Sequence, residues 1–170
     1  MAQFLIHNGP APTTAAQAAV TTGTAIKTLL QAKGVTAMPY KIIEWGISFD
    51  GFAAALPICC ELLETGTVFA TVTAHVAAGI VEFGPGPPAG IPVSTTFFEV
   101  GTAATGYTAT AEGTITASRV LDVQFVAPTN QYVKQFPLGR EPWVDAVSAL
   151  RIRVTAGTAV NAHCYFILEP

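Results

Sequence analysis

The groups that could act as nucleophile or base are few: Cys59, Cys60 and Cys164, with His7, His75 and His163. Thiol catalysis needs an imidazole within hydrogen-bond reach to take the thiol proton. His163 and Cys164 are neighbours in sequence, but neighbouring side chains on a strand point to opposite faces. A pairing of His75 or His163 with a cysteine from elsewhere is the remaining arrangement, and no spacing supports it. Cys59 and Cys60 are likewise split between two faces. The odd number of cysteines predicts free thiols that act as small buried apolar groups. The acidic residues, eleven in all, are scattered without a metal-ligand or glycosidase signature. In FGPGPPAGIPVST (83–95) the prolines remove backbone N–H donors that a phosphate cradle requires, so that run reads as a surface loop. These readings predict no catalytic residue, no cofactor and no metal.

What remains is chemistry of contact. PLGREPW (137–143) sets Arg140 and Trp143, two types enriched in interface hot spots, just after a Pro–Gly turn. Across 105–141 the polar positions carry Thr, Gln and Tyr rather than Lys and Glu. Charged residues make up 11% of the chain and hydrophobic residues 51%, and a free surface that sparse in charge is poorly protected against association. The net charge of −3 argues against a phosphate-binding surface, so no nucleic-acid partner is expected. The best uncharged stretch, TGTVFATVTAHVAAGIV (65–81), contains His75 and falls short of the ~20 apolar residues of a spanning helix, so no membrane partner is expected either. The start, MAQFLIHNGPAP, lacks the basic region and apolar run of a signal peptide, which predicts synthesis in a cytoplasm.

The elements that position these groups have a period of two. In YKIIEWGISFD (40–50), Ile43, Trp45, Ile47 and Phe49 share one expected face, and Asp50-Gly51 ends the run. PICCELLE (57–64), VFATVTAHV (68–76), TITASRVLDVQFVA (114–127), QYVKQFP (131–137), ALRIRVTA (149–156) and AVNAHCYFILE (159–169) are further strand-length runs. In ALRIRV, Leu150, Ile152 and Val154 are expected to face in, Arg151 and Arg153 out. The last run is apolar on both faces near its end, which marks a central strand or one covered at a subunit contact. Residues 8–24 are mostly Pro, Ala, Thr and Gly, without charge. The expectation is an extended N-terminal arm over 1–24, ordered only against a neighbour. Residues 25–170 then form an all-β antiparallel sandwich of about eight strands, jelly-roll-like because the strands are long and the cysteine spacing of immunoglobulin domains is missing.

YKIIEWGISFDG, AAALPICCELLET, ATVTAHVAAG, GTAATGYTATAEGTITASRVLDVQFVAPTNQYVKQFPLGREP and LRIRVTAGTAVNAHCYFILEP together resemble a family of tailed-bacteriophage head decoration or minor capsid proteins. The resemblance spans residues 39–170. It implies a jelly-roll-like domain that assembles as a homotrimer on the outside of an icosahedral head, with the major capsid protein as partner and no catalysis. Its place would be the virion surface. The expected contact residues are Arg140, Trp143, Tyr132, Tyr165 and Ile167, with the last strand at the subunit contact. The competing expectation is a receptor- or glycan-binding module at a fibre or tail tip, built on Tyr107, Tyr132 and Trp143.

Overall fold

The computed structural model describes residues 2–11, 14–35, 38–52, 55–82 and 96–170. The 83–95 loop of the sequence reading lies outside the described residues. Thirteen strands are described: β1 (Phe4–His7), β2 (Val20–Thr21), β3 (Lys27–Lys33), β4 (Tyr40–Asp50), β5 (Ile58–Glu64), β6 (Thr71–Ala74), β7 (Ile80–Glu82), β8 (Gly106–Ala111), β9 (Arg119–Val126), β10 (Gln131–Gln135), β11 (Trp143–Val144), β12 (Ala149–Thr155) and β13 (Asn161–Glu169). One 3-10 turn, at Ala77–Gly79, lies between β6 and β7.

The strands form two antiparallel sheets. One runs β10-β4-β13-β1-β7, with β11 also on β4 and β2 also on β13; the other runs β6-β8-β3-β12-β5-β9. Alternation explains the layering. Phe4, Ile6, Trp45, Cys164, Phe166 and Leu168 point from the first sheet into a core that Leu30, Cys60, Leu62, Leu150, Ile152 and Val154 fill from the second. The chain is therefore all-β, as its period of two predicts.

Bulges shift the alternation where the sequence reading was strict. Opposite Ile167 and Leu168, β4 carries one extra residue, so Tyr40 and Ile42 join Trp45 and Ile47 in the core while Ile43 leaves that face. The same kind of shift in β3, against Ile152 and Arg153, leaves Leu29 buried beside Leu30. Arg151 does lie on the outer side of β12, yet it is fully buried. Segments over it supply the carbonyls of Val68 and Glu112 and the Glu112 carboxylate as acceptors, which is why a guanidinium is tolerated there.

The expectation of an arm over residues 1–24 is corrected in part. Residues 4–7 form β1 inside the first sheet, paired with β13 on one side and β7 on the other. Phe4 and Ile6 are core residues. Four residues of FLIH are too short a run to show a period by themselves, and both partners are distant in sequence, β7 in mid-chain and β13 at the far end. Asn8 extends the ladder: its backbone N–H and side chain both bond to the β13 backbone, at Cys164 and Ala162. Val20–Thr21 adds a short pairing to β13.

One polar cluster joins the sheets along one side. Asp122 on β9 is almost fully buried and accepts from Trp45 Nε1 (3.3 Å), Tyr132 Oη (2.9 Å) and Gln124 Nε2 (3.1 Å). Lys134 Nζ lies 3.2 Å from Oδ1, the oxygen that also accepts from Gln124, while Trp45 and Tyr132 share Oδ2. Trp45, Tyr132 and Lys134 belong to the first sheet, Asp122 to the second. Burial raises the Asp122 pKa, and the bonds from Gln124, Tyr132 and Lys134 outweigh that and leave it below the usual range.

Candidate interaction surface

The outer face of the first sheet is set by register. Three rows cross β10, β4 and β13, and two of them continue onto β1. Gln131, Ser48 and His163 form one; Val133, Gly46, Tyr165 and His7 the next; Gln135, Glu44, Ile167 and Leu5 the third. Each side chain points outward because its strand neighbours, such as Ile47, Cys164, Phe166 and Ile6, point into the core.

Gly46 is the reason this face has its shape. A Cβ at that position would stand 2.5 Å from Tyr165 Cε1. With no side chain there, the Tyr165 ring crosses β4 and its hydroxyl donates to Glu44 Oε1 at 2.5 Å. Burial, and then that bond, hold the Tyr165 phenol well above its ordinary pKa. On the other side of Tyr165 lies His7, 6.1 Å between ring centroids, and His7 in turn faces His163. The result is a shallow groove of about 430 Å³ with Leu5, Val133 and Ile167 as its apolar wall and no Lys or Arg in its lining.

The five expected contact residues fall in four places. Tyr165 and Ile167 share the groove. Trp143 sits on β11, about half exposed, with Lys41 Nζ 5.1 Å from its ring centre. Arg140 lies in the exposed turn between β10 and β11 and makes no ion pair among the described residues, so Glu141 does not neutralise it. Leu138 at that turn is 98% exposed. Tyr132, half-buried, packs on Trp45, 5.4 Å between rings, and its hydroxyl donates to Asp122. Burial and then Asp122 push its pKa to about 12. That bond ties the first sheet to the second.

The aromatic set Tyr107, Tyr132 and Trp143 is not brought together. Tyr107 is on β8 of the second sheet, its ring tilted against His75 with centroids 4.9 Å apart. Tyr132 pairs with Ile47 of β4 and Trp143 with Lys41, six residues away along the same strand. The cysteines are free thiols, with Cys60 and Cys164 buried. Burial is the first cause of the rise of Cys60 to about 12 and of the rise at Cys164, so neither forms a thiolate readily.

The sequence reading missed His7, Leu5, Val133 and Glu44 in this face. The signal for Leu5 and His7 was the alternation in FLIH, too short to use without knowing that β13 is its partner.

The fold and this face define an all-β domain of two packed antiparallel sheets with an apolar, cation-free groove on one outer surface. No family model, curated protein or solved structure matches the chain.

Proposed function

We propose that this chain is a virion structural protein that decorates and cements an icosahedral phage head, contacting the major capsid protein from outside and catalysing nothing. The observation that carries this reading is the outer face of the first sheet. There Leu5, Val133, Tyr165 and Ile167 stand in adjacent rows with no Lys or Arg between them. Such a face is a surface for protein rather than for water. The resemblance of residues 39–170 to head decoration proteins names the partner. Jelly-roll-like topology and a closed homotrimer complete the proposal; cyclic closure keeps a repeated contact from growing into fibres.

A cementing protein binds the assembled shell and stabilises it by mass action. Heads carrying the protein are expected to rupture at higher temperature than heads stripped of it. Equal rupture temperatures overturn the cementing role. Immunogold label distributed over the head supports the location, whereas label at the tail tip favours a receptor-binding module instead.

A further inference from the structure

The three histidines of the chain gather around the end of β1, and two of them lie side by side. His7 on β1 and His163 on β13 have ring centroids 4.9 Å apart, with the planes inclined by 37°. His75 Nε2 lies 2.8 Å from the His7 carbonyl oxygen and is a neighbour of the pair, not a third member. Among the described residues neither ring of the pair bonds to a protein group, and His7 Nδ1 is buried without a partner. A buried ring nitrogen without a partner calls for a physical explanation. Two polar groups of the same groove are otherwise engaged: Tyr165 Oη donates to Glu44, and Ser48 Oγ to the His163 carbonyl.

We propose that His7 and His163 form a two-imidazole site for a borderline-soft divalent transition ion of the zinc, nickel or copper type. The spacing is the first argument. A metal–nitrogen distance of about 2.0–2.1 Å puts an imidazole centroid roughly 3.2 Å from the ion. Two rings 4.9 Å apart then subtend about 100° at that point, between octahedral and tetrahedral angles. Ligand state is the second. Burial lowers the pKa of both rings, and at His7 the neighbouring His163 lowers it further, so both are neutral and able to ligate near pH ~7. No third His, Cys, Asp or Glu completes the set among the described residues. Water fills the remaining positions, which sets micromolar rather than structural-site affinity. Calcium and magnesium are excluded by chemistry, since they require oxygen ligands.

The test is titration of zinc chloride, with calcium chloride as control, into the full chain near neutral pH. Calorimetry and the imidazole NMR resonances are followed together. One zinc ion per chain is expected, shifting the His7 and His163 rings and leaving the His75 ring alone. H163Q and H7Q should each weaken binding about tenfold or more. C59S should leave it unchanged, because Cys59 is the one thiol that is not buried. The wild-type NMR reading stands even if a variant folds poorly. No saturable binding below millimolar zinc, shifts confined to His75, or loss in C59S but not in the histidine variants overturns the proposal.

Discussion

Tyr132 on β10 donates its hydroxyl to Asp122 on β9 at 2.9 Å, and this bond joins the edge of one sheet to the edge of the other. The two strands are consecutive in the chain but belong to different sheets. The connection folds over the open side of the core, and Asp122 collects Trp45, Tyr132, Gln124 and Lys134 as it does so.

D122A removes an acceptor that buried donors depend on. A loss of about 2–3 kcal/mol is expected, since hydrogen bonds to charged groups are the stronger kind. Y132F removes one bond and should cost about 1–2 kcal/mol. Urea midpoints at constant slope measure both. Equal stability of D122A and wild type would show that the cluster contributes nothing net.

Acidification tests the same carboxylate. The folded pKa of Asp122 lies below its unfolded value of 3.8, so the folded state binds this proton less readily. Its contribution is present above that unfolded value and is lost as pH falls through the lower, folded one. The acid limb of the wild-type stability curve should therefore be steeper than that of D122N over the same range.

The histidines act at milder pH and with the sign of buried bases. His7, His75 and His163 all lie below the ordinary 6.5, burial being the largest cause for each. Below 6.5 the unfolded chain binds protons that the folded one does not. Stability is present above 6.5 and is lost as pH falls from 6.5 through the lowered values. Melting temperatures taken from neutral pH downward should decline in this window, and H163Q should decline less. A flat profile in the wild type would mean that the three rings are freely hydrated.

Deleting residues 2–7 distinguishes a sheet strand from a dispensable arm. Phe4 fills the core beside Phe97 and Phe98, and truncating a buried Phe alone costs about 3–5 kcal/mol. The deletion should unfold the domain or lower its denaturation midpoint sharply. A fully stable deletion variant would mean that β1 is peripheral.

I167D tests the outer face as a subunit contact. Ile167 points away from the core and pairs across the ladder with Glu44, so the new carboxylate meets a like charge on the surface rather than in the interior. The oligomer should fall to a mass near 17.7 kDa by light scattering while the strand signal in circular dichroism persists. A wild-type mass already at that value would remove the trimer from the proposal.

The all-β class was legible because period-two alternation is local. LRIRV and ICCEL each announce a strand with one apolar face and HCYFIL one apolar on both, and the structure places all three in sheets. The inward Cys60 and Cys164 follow from the same rule. What alternation cannot carry is parity across a bulge. One extra residue in β4 moved Ile43 off the core face, and only the ladder to β13 reveals it. Sheet membership is likewise non-local: β9 and β10 have similar patterns, and tertiary packing alone assigns them to different sheets. The groove has the same origin. His7 and His163 are separated by nearly the whole chain, and they meet because β1 closes against β13, a pairing driven by Phe4 and Ile6 entering a core that neither end of the sequence displays by itself. Local side-chain pattern thus determined the class of fold; long-range strand pairing, which no short window of sequence encodes, decided which residues share a face and therefore where a partner or an ion can bind.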